Sequence, residues 1–452
     1  MPSVYSKLLH YSCYEIGHTW EPSCRSSSLY IFASAFIASC QIYAVVYAVT
    51  AALQYKSLNN KKKILRLFIN YLRSVLFLTT NAFGHNAAFC AFRHLLGHIS
   101  YPTVSFLPGI LASLAAILIE RPSRRSLLAI YVTNVASECA YNIAVESGMV
   151  RPVRHGSLIM FCAALAVLGA SYRSNQYQPP PLLASILRFF VGNREKGNNR
   201  VAQAPVDEPA CDRHRSWSAV LSGRSPCCPH PDSCVRYSAT AGAVGAVKGV
   251  LASMVLRLLV SVPALIRRPD FLPRLLPRIL VSSSHLRLGA FIGWFCGSFR
   301  LVSCVCRSLR GSDSASHGAA AGAIAALGMV VYPAPSFALY SAWKTVEMLC
   351  SMGVSAGVVP AIPGATELLY CIMTAYLLHV SAVHQHYMKP SYWALLMKLT
   401  DNRIGEFNRH LLHPYGQDSG RNFQHFWPDY KRQVPHALLA KYPLGIASIP
   451  RP

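Results

Sequence analysis

The stretch "SSSLYIFASAFIASCQIYAVVYAVTAALQY" (residues 26–55) contains no Asp, Glu, Lys or Arg. About 20 apolar residues in helical conformation cross the hydrocarbon core of a bilayer, so this stretch reads as a membrane-spanning helix. Ala315–Trp343 is a second uncharged run of that length. Runs with at most one or two charges follow the same pattern at Ser74–Phe92, Ile99–Ile119, Ser126–Val145, His155–Tyr172, Tyr237–Ile266, Leu288–Cys306 and Thr366–Val383. Only 13% of the 452 residues are charged, against roughly 25% in a soluble domain. The expected fold is an all-α polytopic membrane protein.

The net charge is +25. The basic residues concentrate in short connectors, "KSLNNKKKILRLFINYLR" (56–73), "ERPSRR" (120–125) and "RRPDFLPRLLPR" (267–278), beside the apolar runs. Charge placed there suits anionic lipid headgroups and topology control, so the bilayer and other membrane proteins or further copies of the chain, not nucleic acid, are the expected partners. No basic cluster or small-residue cleavage site precedes the first run, so a cleaved secretory signal is not expected. Of fifteen cysteines, Cys40, Cys90, Cys139, Cys162, Cys296 and Cys371 lie inside apolar runs. A cysteine there behaves as a small hydrophobe, and a disulfide framework is not expected.

The sequence repeats itself. "GILASLAAILIERPSRRSLLAIYVTNVASE" (109–138) resembles "GAIAALGMVVYPAPSFALYSAWKTVE" (322–347), and Tyr131, Glu138 and Cys162 keep the spacing of Tyr340, Glu347 and Cys371. "FCAFR" (89–93) matches "FCGSFR" (295–300), and "HTWEPSCR" (18–25) matches "HPDSCVR" (230–236). A duplication of this kind predicts two tandem halves, 1–192 and 227–405, each opening on a Cys/His motif and continuing with four to five apolar segments. A polar linker, 193–226, joins them, and a polar tail, 406–452, follows. Equivalent basic connectors at 56–73 and 267–287 favour an even number of crossings per half and parallel repeats.

Three sets of residues are candidates for function. Glu138 and Glu347 are acids within or at the end of apolar runs, where a carboxylate is costly, with Tyr131 and Tyr340 two turns earlier on the same face and Lys344 one turn before Glu347. Local pairing is the bland alternative. Gly289, Gly293 and Gly297 share a helix face, and Gly318 with Gly322 begin another; such faces let helices approach closely in lipid. The two Cys/His motifs supply Cys13, His18 and Cys24, then Cys227, Cys228, His230 and Cys234, with Cys211 and His214 nearby. Structural zinc takes four Cys or His ligands. The second motif can bind alone or the two can share an ion; a Cys13–Cys24 disulfide or simple packing are the alternatives. Apart from a structural zinc, no cofactor is expected.

"HLLGH" (94–98) and "HVSAVHQH" (379–386) resemble the histidine boxes of membrane di-iron desaturases, but the H-x-x-H-H pattern is absent. No nucleophile elbow, P-loop, H-E-x-x-H or dinucleotide fingerprint occurs either. An enzyme is not expected.

"CYEIGHTWEPSC" (13–24), "ILIERPSRRSLLAIY" (117–131), "CCPHPDSC" (227–234), "LGAFIGWF" (288–295) and "KPSYWALLMKLT" (389–400) together resemble the transmembrane protein 135 family, in the same order along nearly the whole chain. The resemblance implies a multi-pass protein of peroxisomal and mitochondrial membranes, tied to mitochondrial dynamics and to lipid and cholesterol movement. The glycine-rich half also looks like the superfamily of mitochondrial inner-membrane protein translocases. A non-enzymatic regulator of organelle form and lipid homeostasis is therefore expected. The other reading is a transporter or translocase-like pore lined by the glycine faces and paired acids.

Overall fold

The computed structural model describes residues 6–53, 60–174, 181–192, 195, 228, 230–267, 277, 282–310, 313–415, 419–428 and 430. Of the linker expected at 193–226 only Glu195 is described, and Cys211, His214 and Cys227 lie outside the described residues. The elements are β1 (Leu8–Leu9), α1 (Cys13–Ile16), α2 (Cys24–Leu53), α3 (Lys61–Leu96), β2 (Ile99–Ser100), α4 (Phe106–Ile119), α5 (Pro122–Glu146), α6 (Gly156–Arg173) and α7 (Pro181–Val191). They continue with α8 (Cys234–Arg267), α9 (Ser283–Arg310), α10 (Ala315–Ala326), α11 (Pro335–Ser355), α12 (Ala365–Val383) and α13 (Pro390–Leu399). The two strands pair antiparallel, Leu8 opposite Ser100.

Helix ends follow local chemistry. Asn60 caps α3, its side chain accepting from the Lys62 amide at 2.9 Å, and Gly97 ends it in the left-handed conformation at φ 75°, where a Cβ is disfavoured. Pro122, Pro335 and Pro390 open α5, α11 and α13, at a first-turn position whose amide hydrogen would have no acceptor within the helix.

Among the described residues, five helices are long and apolar enough to cross a membrane: α2, α6, α8, α9 and α12. The uncharged run Ala315–Trp343 is not one span. Its helix α10 tightens into a 3-10 turn at Leu327–Val330 and stops, and α11 starts afresh at Pro335. Pro333 and Pro335 lack the amides that a continuous helix would use, so charge-free sequence there did not mean continuous helix.

The chain packs as two compact units, one of Met1–Arg151 with Ile362–Pro452, the other of Pro152–Ala361. In the first, α2 lies on α3, α3 on α4, and α12 against both α4 and α5. Its core joins Phe77, Ala116, Ile117, Val135, Cys139 and Leu377. A Cβ on Gly109 of α4 would come 2.8 Å from the Ala375 Cα of α12, which shows how closely those helices approach. The segment after 405, expected as a polar tail, buries Leu411, Leu412, Tyr415 and Tyr430 in this unit.

In the second unit, α8 lies on α9, and α6 packs on α10 and α11 around Phe161, Leu165, Phe295, Phe299, Ala321 and Ala325. The glycine faces are used inside it. Gly289 meets Gly249 and Val250, Gly293 meets Gly242 and Ala246, and Gly297 meets Ser238 and Gly242, all on α8. Gly318 and Gly322 lie against the backbone of Gly169 and Leu165 on α6. The units therefore cut across the sequence halves: α6 and α7, which precede the linker, build unit two, and α12 and α13, which follow it, build unit one.

Candidate metal centres

In the first unit Ser12 starts α1 with a reciprocal cap: its hydroxyl accepts from the Glu15 amide at 3.2 Å, and the Glu15 carboxylate accepts from the Ser12 amide at 2.7 Å. The helix lasts one turn and ends at Gly17. A side chain on Gly17 would collide with the Phe89 ring of α3, so glycine lets this amino-terminal turn lie on α3. The C-terminal segment holds it there: the Asn408 amide donates to the Ile16 carbonyl at 2.8 Å, and the Tyr430 hydroxyl to the Glu15 carbonyl at 2.7 Å.

This brings Cys13, His18, Cys24 and Cys90 together, one ligand atom from each, all within 4.8 Å of one another. Cys13 and Cys24 sulfurs are 3.2 Å apart as free thiols. His18 is fully buried; its Nδ1–H donates to the Glu21 carbonyl at 2.6 Å, and its Nε2 has no hydrogen-bond partner. Burial alone would lower the His18 pKa, but the Cys13 and Cys24 thiols outweigh it and push it up to about 10. His94, exposed on α3, places Nε2 3.7 Å from the Cys24 sulfur.

In the second unit Cys228, His230, Cys234 and Cys304 form an equivalent set, all four buried. The His230 Nδ1–H donates to the Asp232 carbonyl at 2.8 Å, leaving Nε2 3.2 Å from the Cys304 sulfur. Its ring stacks on Tyr237 with centroids 4.3 Å apart. Hydrogen bonding to Cys304, against burial, brings the Cys228 thiol down to about 6.

Beside this centre lies a buried charge network. Glu195 Oε2 accepts from Arg173 at 2.7 Å and from Arg307 at 2.9 Å, and Asp313 lies 3.3 Å from Arg307. The Tyr237 hydroxyl donates to Glu195 Oε1 at 3.4 Å. Arg307 follows Cys304 by one turn of α9, so a positive group stands near the cluster and helps to lower the Cys228 thiol.

Each set is three cysteines and one histidine, the donor set of a closed structural zinc site. In both, a backbone carbonyl takes Nδ1–H and so fixes the tautomer that offers Nε2, the usual outer-shell arrangement for a histidine ligand. The orphaned, buried Nε2 of His18 is the observation that fits an ion. Four protein ligands leave no open position for water, so the chemistry is structural. Cys24 and Cys234 are the first residues of α2 and α8, and Cys90 and Cys304 lie in the last two turns of α3 and α9. An ion at either place would tie the open end of a long helical hairpin.

Cys13, His18 and Cys24, candidate ligands in the sequence beside a disulfide or simple packing, thus come together, as do Cys228, His230 and Cys234. Each set completes itself from a neighbouring helix, so neither needs the other's ligands. The fourth ligands were missed. Cys90 read as a small hydrophobe because it sits in an apolar run; it is buried, yet its neighbours are sulfurs and an imidazole. The match of "FCAFR" with "FCGSFR" sets Cys90 against Cys296, but Cys296 faces Gly245 on α8, and Cys304 is the residue that joins the second cluster. The available signal was helical: eight residues separate Cys296 from Cys304, close to two turns, so both lie near one face.

The candidate acids have lysine neighbours. Glu138 accepts from Lys389 at 3.1 Å in unit one, and Glu347 from Lys344 at 2.6 Å in unit two. Tyr131 is 43% exposed, whereas Tyr340 lines a cavity together with Lys344.

Five apolar spans and two Cys/His clusters able to hold a metal, counted among the described residues, define a multi-pass helical membrane protein with a cysteine-rich amino-terminal region. Residues 10–145 match the family model described as the N-terminal cysteine-rich region of Transmembrane protein 135, a stretch that contains all four ligands of the first centre. The match covers 136 of the 452 residues, so this amino-terminal part is similar to the cysteine-rich region of that family. No solved structure matches the chain.

Proposed function

We propose that this chain is a non-enzymatic membrane protein of peroxisomes and mitochondria that regulates organelle form and lipid homeostasis, fatty acid and cholesterol included, and that two structural zinc ions hold its helical hairpins closed. The organelle and lipid part is supported by the family resemblance together with the match over residues 10–145. The zinc part is carried by one observation: two complete three-cysteine, one-histidine sets, each with its histidine oriented by a backbone carbonyl. Zinc suits them better than a redox or hard-oxygen metal, because thiolate and imidazole donors in a closed four-ligand set match its preference.

The pore reading is weaker. Gly289, Gly293, Gly297, Gly318 and Gly322 are spent on helix contacts inside unit two, and both candidate acids have lysine partners. Fractionation that separates peroxisomes from mitochondria, with imaging of both organelles and total lipid analysis after gene deletion, tests the first reading. A deletion that changes neither organelle form nor lipid content would refute it. Solute flux in reconstituted vesicles that depends on Glu138 or Glu347 would restore the pore.

A further inference from the structure

Within unit two, α6, α7, α9 and α11 line a half-open cavity of about 120 Å³. Its walls are aromatic and aliphatic: Phe161, Leu165, Leu187, Phe190, Phe295 and Phe337. Polar groups enter only from one turn of α11, through Tyr340, Ser341 and Lys344. An apolar space of this size does not hold water stably, and left empty it wastes packing contacts. A hydrocarbon group fills it best.

The wall formed by α7 is unusual. At 11 residues α7 is far too short to span a bilayer. It turns Leu183, Leu187 and Phe190 toward the cavity, positions four and three apart as one helix face requires. Its end is fastened, with the Tyr172 hydroxyl donating to the Gly192 carbonyl at 3.0 Å and Arg300 Nε to the Val191 carbonyl at 3.2 Å. An amphipathic segment secured at its carboxyl end therefore covers one side of the space.

The polar end selects the head of the occupant. Lys344 is paired with Glu347 at 2.6 Å, so it brings no net charge to the cavity, and Tyr340 and Ser341 add hydroxyls beside it. A carboxylate or phosphate would bring into this apolar space a charge that Lys344, already paired, does not balance, whereas a hydroxyl can donate to and accept from the Tyr340 and Ser341 hydroxyls. We propose that the cavity binds the hydrocarbon part of an uncharged, hydroxyl-bearing lipid, with the hydroxyl at the end lined by Tyr340, Ser341 and Lys344. This site rests on the lipid part of the function proposed above and gives it a location and a ligand class.

The test uses the full-length protein in phosphatidylcholine nanodiscs and three diazirine probes: a long-chain alcohol, the carboxylic acid of the same chain, and a phosphatidylcholine carrying that chain. Labelled peptides are mapped by mass spectrometry. The alcohol is expected to label the α7 and α9 segments about tenfold more than the acid or the phospholipid. Leu187→Trp, which fills the space, is expected to abolish that labelling, and Glu347→Gln, which leaves the Lys344 cation unpaired, to erase the preference of alcohol over acid. Bound metal serves as the folding control, and Leu183→Trp replaces Leu187→Trp if the latter loses metal. Equal labelling by the phospholipid along the exposed faces of α2 and α8 would reduce the cavity to an ordinary bilayer-facing groove and overturn the site. Preference for the acid would overturn the ligand class. Normal organelles in a deletion strain alongside intact, Leu187-dependent labelling would defeat the proposed function and leave the site standing.

Discussion

Cys24, the first residue of α2, and Cys90, near the end of α3, belong to one cluster of ligand atoms within 4.8 Å of one another. Cys234 and Cys304 repeat that relationship between α8 and α9. Because the two helices of each hairpin run antiparallel, the cluster closes the end opposite the connector. A metal there would act on stability as a cross-link does, by restricting the unfolded chain and by binding only the folded one.

The first prediction concerns stoichiometry. The purified chain is expected to carry two zinc ions, Cys90→Ser one, Cys304→Ser one, and the double variant none. Metal analysis by plasma mass spectrometry reads this directly. Two ions retained by Cys90→Ser would show that α3 supplies no ligand.

Metal uptake is expected to weaken as pH falls, and more steeply at the first centre. In the metal-free fold His18 holds its proton up to about 10, so at neutral pH an ion must expel that proton before Nε2 can bind. Cys228 is brought down to about 6 and is already largely thiolate at pH 7. Competition with a chelator between pH 6 and 8, using the Cys304→Ser and Cys90→Ser chains to isolate each centre, measures the two slopes. Equal slopes would remove His18 from the first set.

Helix contacts at glycine predict a strong size dependence. A Cβ on Gly322 would run into the Leu165 carbonyl, and one on Gly293 would come 2.9 Å from the Gly242 carbonyl. Backbone cannot yield as a side-chain tip can, so Gly322→Val and Gly293→Val are each expected to destabilise unit two by about 3 kcal/mol. Val247→Ala, on the exposed face of α8, is the control and should change little. Melting in detergent distinguishes them.

Glu195 makes the fourth case. Its carboxylate is fully buried between Arg173 and Arg307. Glu195→Gln leaves two buried cations with one fewer counter-charge, and breaking such a network costs roughly 3–5 kcal/mol. The expected result is a lower melting temperature with the first centre's zinc retained. An unchanged melting temperature would show that Asp313 alone balances the two arginines.

Much of this was legible in the chain. Charge-free runs of twenty or more residues announced helices in lipid, because no unpaired charge is tolerated there. The Cys, His, Cys order of Cys13, His18 and Cys24, repeated with shorter spacing at Cys228, His230 and Cys234, announced two Cys/His groups, and small-residue periodicity announced close helix contacts. These are local properties, readable within one turn or one span. Which helix supplies the fourth cysteine is not local. Cys90 and Cys296 look alike in sequence, and only the hairpin geometry puts the first beside a histidine and the second beside Gly245. The compact units were equally hidden. α6 and α12 carry similar apolar sequence, and each goes where a small residue opens room, Gly169 against Gly318 and Gly109 against Ala375. Sequence alone determined that the chain is helical, membrane-embedded and thiol-rich, since hydrophobicity and ligand chemistry belong to residues. Tertiary structure alone decided which residues meet, since packing depends on the shapes of surfaces far apart in the chain.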